Sequence, residues 1–235
     1  MSWQVPKIWE DGDVWIIGGG PSMTEQFNIP EKVVKDVLSG ASSPNSYSPY
    51  MEQIHSKHVI GVNVAFLIGD WIDFVFFGDP NFFLNYQKPL SIFPGLKISC
   101  APNTADVQWV KTLARDGSHG RGISSNPRKV SWNGNSGAAA ISVAANAGAK
   151  RIILVGFDMK LGSNDMQHWH DSYKRGPALG KKRLKALPFD RHRMGFAQIA
   201  KDARSRGIEI LNVSPKSTIE EFPKYNLKEL LYDNS

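Results

Sequence analysis

Short apolar runs separated by turn residues recur along this chain of 235 residues. Such runs, bounded by Gly, Pro, Asn or Asp, are typical of strands that are buried on both faces of a parallel sheet. Segments with helical character follow several runs, notably residues 136–149 and 193–206. The predicted strands cover residues 14–17, 59–62, 74–77, 96–100, 151–155 and 208–213. The alternation predicts an α/β fold, a single Rossmann-like domain over residues 1–235 with a mostly parallel sheet flanked by helices.

Three stretches lack this pattern. Residues 39–49 are rich in small polar residues and proline, which predicts a mobile surface loop. Residues 116–128 contain three glycines and read as irregular in the same way. Residues 165–188 carry little helix or strand signal, and a connection of that length inside one domain is usually functional or disordered.

Positive charge is concentrated in one window of the chain. The net charge is +6, yet residues 174–206 carry +9 and the remainder −3. A concentrated positive segment attracts phosphates, acidic sugars or nucleic acid. A solvated helix face is the alternative, but the glycines and prolines of the window favour a loop. We therefore predict a basic lid over an anionic ligand, within an insert at about residues 160–190, with Lys181 and Lys182 among its cations.

Membrane and secretory signals are not found in the sequence. It has no run of about 18 apolar residues, and its N-terminus lacks the pattern of a signal peptide. We expect a cytoplasmic protein with no membrane span. Its single cysteine, Cys100, has an apolar context and is expected to be structural.

Three glycines directly follow the first predicted strand. Gly18, Gly19 and Gly20 permit a ligand to approach the backbone closely, and Pro21 and Ser22 suit the start of a helix. The turn is expected to point unsatisfied N–H groups at an anion. It is not the full dinucleotide fingerprint, so a nucleotide is favoured over NAD. A tight turn with no ligand is the alternative.

Polar residues also follow three other predicted strands. They are Asn63, Asp79 and Asp158. Ligands in parallel sheets bind beyond the carboxyl ends of the strands, so these residues and the glycine turn are predicted to share one cleft. Each could instead be an ordinary turn residue.

The segment Asn135-Ser136-Gly137 precedes a helix of small residues. Asn135 or Ser136 is suited to cap that helix, and the same hydroxyl and amides are suited to bind a phosphate or a base. Both roles are compatible.

Three histidines are candidates for chemistry. His192 is predicted to open the amphipathic helix that carries Phe196 and Ile199. An ordinary pKa near 6.5 lets a histidine act as a general base. His168 and His170 are two positions apart and are expected to point to opposite sides, so neither a shared zinc nor a structural metal is predicted.

The order of these motifs carries a family resemblance. Its parts are IIGGGPSM ending at Met23, GVN ending at Asn63, FFGDPNFF ending at Phe83, NSG at residues 135–137, IILVGFD ending at Asp158 and ILNVSPKS ending at Ser217. In this order they resemble bacterial sialyltransferases of glycosyltransferase family 42. They also resemble the related domain-of-unknown-function-115 superfamily, which includes archaeal 6-hydroxymethylpterin diphosphokinase.

Resemblance to the sialyltransferases implies a transferase that uses a nucleotide sugar of the CMP type and needs no cofactor. The donor would contact the glycine turn, Asn63, residues 135–137 and Asp158, while Ser214, Lys216 and Ser217 would contact its phosphate. His192 would be the general base toward a hydroxyl of an acidic small molecule or a glycan. The departing phosphate would be stabilised from the lid by Lys181, Lys182, Arg191, His168 and His170.

One residue departs from the sialyltransferase pattern. Asp79 precedes Pro80 where those enzymes have Asn, and a carboxylate beside a phosphate generally needs a cation between them. This favours Mg²⁺ at Asp79, which implies an alternative: pyrophosphoryl transfer from a nucleoside triphosphate, as in the diphosphokinases. A third interpretation is nucleic-acid binding or DNA modification, suggested by the pI of about 9.3 and by Trp109, Trp132 and Trp169 near basic residues.

Overall fold

The computed structural model describes residues 3–117, 120–172 and 188–232. Within these ranges the strands are β1 (Asp13–Ile17), β2 (His58–Val62), β3 (Phe74–Phe77), β4 (Leu96–Ser99), β5 (Lys111–Thr112), β6 (Ala114–Arg115), β7 (Lys129–Val130), β8 (Arg151–Val155) and β9 (Glu209–Val213). The α-helices are α1 (Ser22–Gln26), α2 (Glu31–Ser39), α3 (Pro80–Ile92), α4 (Ser136–Asn146), α5 (Phe189–Arg193), α6 (Phe196–Ser205) and α7 (Leu227–Tyr232). The 3₁₀ helices are Pro44–Ile54, Asn63–Ile68, Pro102–Thr104 and Ser163–Asp165.

The main sheet is parallel, with strand order β5-β4-β3-β2-β1-β8-β9. This confirms the predicted α/β class and places all six predicted strands in one sheet. From β1 the chain proceeds outward through β2 to β5, and β8 then pairs with the other side of β1. The boundary between β1 and β8 is a topological switch point, beyond which ligands bind in sheets of this kind.

Both faces of the sheet are covered. Alternate residues of β1 enter different hydrophobic clusters: Val14 and Ile16 pack with α4 and α6, whereas Trp15 and Ile17 pack with the helices on the other face. Burial on both faces explains why the strands read as nearly continuous apolar runs. Within the described ranges, no helix has the length and apolarity to cross a bilayer.

The prediction of a mobile loop at residues 39–49 is wrong. Helix α2 ends at Ser39, Gly40 follows with φ 77°, and a 3₁₀ helix begins at Pro44. Tyr47 and Met51 are fully buried in that helix, and the Tyr47 hydroxyl donates to the carbonyl of Trp169 at 3.0 Å. One buried side chain within the segment, Tyr47, and another just after it, Met51, anchor the helix among Ser and Pro residues, a pattern with little local helix signal.

The predicted helix at residues 193–206 is divided in two. His192 lies in the short helix α5 and does not open the amphipathic helix, which is α6. The Asn135 side-chain amide donates to the carbonyl of His192 at 2.8 Å. In a continuous helix this carbonyl would instead accept from a backbone amide of the next turn. The break falls at Gly195, whose backbone packs on the side chain of Asn133.

Two smaller predictions agree with the structure. The segment that joins β6 to β7 has neither helix nor strand at its described residues, 116–117 and 120–128. Cys100 is a buried free thiol at the end of β4, and burial raises its pKa. A protonated, buried thiol is unreactive, which fits the structural role expected of it.

Candidate active site

The carboxyl ends of β1, β2, β3 and β8 open into one cleft of about 460 Å³. This volume is within the range of about 300–1,000 Å³ that is usual for small-molecule sites. The predicted site residues that line it are Gly18, Gly19, Gly20, Asn63, Asp79, Asn135, Ser136, Gly137, Asp158, His168, His170, Arg191 and His192. The convergence expected of the strand ends is therefore present in the structure.

Other predicted site residues do not line this cleft, although the structure describes them. Ser22 and Ser214 share a hydrogen bond between their hydroxyls at 2.8 Å, and the Ser214 oxygen also accepts from the amide of Phe157 at 3.3 Å. The Ser217 hydroxyl donates to the Phe157 carbonyl at 2.7 Å. These serines hold the turn that follows β8.

The other predicted site residues are away from the cleft or outside the described ranges. The Lys216 side chain is 78% exposed, with its Nζ 4.0 Å from a carboxylate oxygen of Glu25. Pro21 packs against Gly162. Lys181 and Lys182 lie outside the described residues.

The glycine turn presents fewer bare amides than its sequence predicts. The Gly18 amide donates to the Val155 carbonyl and the Gly20 amide to the Gly156 carbonyl, both at 2.8 Å. Among the described residues, no group accepts a hydrogen bond from the Gly19 amide. The prediction of a row of unsatisfied N–H groups is therefore wrong, because two of the three glycine amides donate to carbonyls at the end of β8 and just after it.

Gly20, the third glycine of the turn, has no room for a side chain because the carboxylate of Asp158 packs against it. A Cβ atom at Gly20 would lie 1.9 Å from Oδ2 of Asp158, and the same oxygen accepts from the Ser22 amide at 3.3 Å. Asp158 is only 5% exposed, and burial raises its pKa. The arrangement shows Asp158 holding the turn in place while it also borders the cleft.

Helix α4 points its N-terminus into the cleft. The Asn135 side-chain oxygen accepts from the Ala138 amide at 2.7 Å, which confirms the predicted cap. Within the described chain, the amides of Ser136 and Gly137 donate to no other group, and both residues line the cleft. Two N–H groups at the positive end of a helix dipole form a binding site for an anion.

The ring of Phe157 fixes that helix end beside the glycine turn. A Cβ atom at Gly18 would lie 3.1 Å from the ring, and one at Gly137 would lie 3.0 Å from it. Both glycines therefore allow the backbone to approach one buried ring closely. The turn and the α4 terminus are held together as two walls of the cleft.

Asn63 adds a polar atom without an internal partner. It has φ 53°, a left-handed conformation that Asn tolerates, and it lies where β2 ends. Its Oδ1 atom is buried, and among the described residues nothing donates a hydrogen bond to it. A buried polar atom in this state indicates a missing partner, such as a bound ligand.

His168 and His170 lie on the same side of the chain. Their rings stack with centroids 5.2 Å apart and planes 7° apart, so the expectation of opposite sides is wrong. The segment is not an extended strand: between them the amide and the indole N–H of Trp169 donate to Gly19 and Gly18 carbonyls at 3.1 and 2.7 Å. Burial and the nearby His168 lower the pKa of His170 well below its usual value.

His192 is held in its neutral form. Burial, Arg191 and His168 lower its pKa to about 4. The Arg191 Nη2 atom lies 3.3 Å from Nε2 of His192. Because a guanidinium can only donate, Nε2 is the acceptor and the imidazole proton is on Nδ1.

Several residues that line the cleft were not predicted from the sequence to be site residues. They are Arg115, Trp132, Lys160, Gln167 and Phe189. Arg115 belongs to a two-residue strand, and no local pattern distinguishes it from a surface arginine. Trp169, one of the three tryptophans behind the nucleic-acid interpretation, is fully buried and offers no surface for a base.

Comparison with known proteins finds similarity in fold and no match to a family model or a curated protein. The MAf glycosyltransferase from Magnetospirillum magneticum AMB-1 is similar in structure, with a TM-score of 0.59 and 15% identity over 97% of this chain. The sialyltransferase CstII from Campylobacter jejuni, solved with the substrate analogue cytidine-5'-monophosphate, gives a TM-score of 0.51 and 14% identity over 91% of this chain. The chain has a sialyltransferase-like fold.

This sialyltransferase-like fold confirms the resemblance inferred from the motifs. The chain spans 35% of the MAf glycosyltransferase and 84% of CstII. At these identities the similarity concerns the fold, and the chemistry must be argued from the cleft.

Proposed function

We propose that this chain is a glycosyltransferase-like enzyme that transfers a sugar from a nucleotide-sugar donor, of the CMP type, to a hydroxyl acceptor. One observation carries the proposal: the glycine turn, Asn63, the α4 N-terminus and His192 border the same cleft. The glycosyltransferase fold of its structural neighbours, one of them solved with CMP, supports this choice. The acceptor, an acidic small molecule or a glycan, and the cytoplasmic location stay predictions.

The donor phosphate is assigned to the N-terminus of α4. The amides of Ser136 and Gly137, with the Ser136 hydroxyl, supply donors at the positive end of the helix dipole. The Gly19 amide adds a donor from the opposite wall. Oδ1 of Asn63 accepts, so it suits an amino group of the base or a ribose hydroxyl.

His192 is the general base in this proposal. Its neutral imidazole takes the proton of the acceptor hydroxyl while that oxygen attacks the anomeric carbon, and the bond from that carbon to the phosphate oxygen breaks. Arg191 then serves two groups, since the departing phosphate competes with Nε2 of His192 for its guanidinium. Transfer of Arg191 to the phosphate frees the Nε2 lone pair and raises the pKa of the base as the proton arrives.

The test combines His192→Ala with nucleotide binding. CMP should raise the Tm of both the wild-type protein and the variant, while release of CMP from CMP-N-acetylneuraminate in the presence of glycan acceptors should be lost only in the variant. His58→Ala is the matched control. His58 is the first residue of β2 and so lies at the amino ends of the strands, whereas the cleft lies at their carboxyl ends. Full activity in His192→Ala would contradict the mechanism.

Pyrophosphoryl transfer from ATP is the second candidate function, and the position of Asp79 favours it. Asp79 lines the cleft, and its Oδ1 accepts from the Asn81 amide at 2.8 Å as the cap of α3. With phosphate oxygens and water it would form a Mg²⁺ site of the usual kind. Asp158, buried against the Ser22 amide, is the less accessible carboxylate.

Metal dependence separates the two candidates. ATP with Mg²⁺ should raise the Tm under the second candidate, and both EDTA and Asp79→Asn should remove that shift. Asparagine is a good helix cap, so this variant preserves α3. A CMP shift that persists in EDTA, with no response to ATP and Mg²⁺, would eliminate the diphosphokinase alternative.

A further inference from the structure

Arg115 is a cation of the cleft that the proposed transfer does not use. Its Nη2 donates to the Gly78 carbonyl at 2.6 Å and its Nε to the Cys100 carbonyl at 3.2 Å. These carbonyls directly follow β3 and β4. The guanidinium is therefore fixed at the carboxyl edge of the sheet, where the cleft opens.

Trp132 fixes the plane of this guanidinium. The central carbon of Arg115 lies 4.0 Å from the centroid of the Trp132 ring, a close cation–π contact. The ring rests on Gly78, where a Cβ atom would lie 2.2 Å from it. The two side chains form one rigid unit, and both line the cleft.

The charge of Arg115 is not neutralised by the described part of the chain. Among those residues, no carboxylate forms an ion pair with it, and its two hydrogen bonds go to uncharged carbonyls. A guanidinium has five N–H donors, so others remain for a ligand. Their planar arrangement is suited to two parallel hydrogen bonds with a carboxylate or a phosphate.

Arg115 lies on the far side of the cleft from the glycine turn. Gly18 follows β1, and Gly78 follows β3, two strands away in the sheet. With about 4.8 Å between neighbouring strands, the two points are about 10 Å apart. A ligand that contacts both walls must extend across this width, so the group that it presents to Arg115 differs from the group that it presents to the glycine turn.

We propose that Arg115, stacked on Trp132, forms a second anion subsite that binds a carboxylate or phosphate group of the transferred sugar or of the acceptor. The inference rests on the proposed function, because it takes the nucleotide to occupy the glycine turn and the α4 terminus. It adds a determinant of specificity: ligands that carry this acidic group are preferred over neutral ones.

The binding test uses Arg115→Gln and a matched control, Arg206→Gln. Arg206 also donates to two backbone carbonyls, those of Ile123 at 2.6 Å and Ser124 at 3.3 Å, but does not line the cleft. Calorimetric titration would compare CMP, the inert analogue CMP-3-fluoro-N-acetylneuraminate, and the methyl ester of that analogue. The ester removes the negative charge and retains the sugar.

We expect the wild-type protein to prefer the acid over its ester by about tenfold or more, the value of one charged hydrogen-bonded pair. Arg115→Gln should lose this preference and keep its affinity for CMP, while Arg206→Gln should match the wild type. A second arm compares KM for acidic and neutral glycan acceptors. A preference seen only in that arm, and lost in Arg115→Gln, places the anion on the acceptor.

Other outcomes overturn the inference in distinguishable ways. If the wild type binds CMP but shows no preference in either arm, or if Arg115→Gln keeps the preference, the second subsite is absent. Loss of CMP affinity in a folded Arg115→Gln protein would assign Arg115 to the nucleotide phosphate instead. If the wild type binds none of these nucleotides, the proposed function itself fails. Arg115→Lys, which keeps the charge but not the planar fork, replaces the glutamine variant if that one unfolds, and it should weaken the preference.

Discussion

At the scale of single residues, the protonation state of His192 decides what the cleft can do. Burial, Arg191 and His168 lower its pKa to about 4. The imidazole is therefore neutral, and able to accept a proton, at any pH well above that value. A base with so low a pKa is weak until a ligand draws Arg191 away from it.

This state predicts an unusual pH profile. The value of kcat/KM, which reports the free enzyme, should be constant from about pH 7 to about pH 5 and should fall as the pH approaches 4. Initial rates with donor and acceptor well below their KM values across this range would measure it. An acidic limb at the ordinary histidine value of 6.5 would show that the pKa of His192 is not lowered in the folded protein.

The same pKa affects stability. Between pH 6.5 and about 4 the unfolded chain protonates His192 whereas the folded protein does not, so the free energy of unfolding should decrease as the pH falls through this interval. His192→Ala should reduce that decrease. Urea denaturation of both proteins at pH 7 and pH 4.5 would measure the difference. His170, whose pKa is also lowered, is present in both proteins and cancels.

Gly20 offers a test of the turn. A methyl group there would meet Oδ2 of Asp158 at 1.9 Å and the Gly156 carbonyl oxygen at 2.6 Å, so Gly20→Ala should cost about 1–3 kcal/mol of unfolding free energy. Gly12→Ala is the control, since its nearest neighbour would lie at 3.4 Å. Urea denaturation would compare the two. Equal stabilities would contradict the close packing of Asp158 on the turn.

At the scale of elements, one side chain joins two helices. Asn135 caps α4 through its oxygen and holds α5 through its amide, which donates to the His192 carbonyl. The cap was readable from the sequence because it is a contact between neighbours in the chain. The link to α5 was not, because 57 positions separate the partners.

The two roles of Asn135 are separable by substitution. Asn135→Asp keeps an oxygen for the cap but loses the amide, so it should retain most stability and lose transfer activity as α5 shifts. Asn135→Ala loses both contacts and should cost about 2 kcal/mol, one for each hydrogen bond. Urea denaturation and CMP release would be measured on both. Wild-type activity in Asn135→Asp would show that the link does not position His192.

At the scale of the whole molecule, stability depends on a sheet that is covered on both faces. Ile16 is fully buried in β1, an interior strand of the sheet. Ile16→Ala should therefore cost about 2–5 kcal/mol. Ile92→Ala, at a residue that is 80% exposed, should change the stability by no more than about 0.5 kcal/mol. A chemical denaturation curve for each variant would measure the change in the free energy of unfolding. Similar changes in the two variants would contradict the prediction.

The order of residues along the chain was enough to predict the strands, the α/β class, the cap of α4 and the edge of the sheet where polar residues meet. These features follow from local backbone preference and from burial, which leave regular patterns along the chain. Parallel topology then brings the strand ends together whatever the loops do.

Which polar groups face the cleft depends on contacts between distant parts of the chain. Ser22 and Ser214 share a hydrogen bond across 192 positions in the chain. The amides of Gly18 and Gly20 donate to the carbonyls of Val155 and Gly156, and Arg115 reaches Gly78 from the two-residue strand β6. A side chain or amide takes the partner that the fold brings near, and that choice leaves no periodic signal in the sequence.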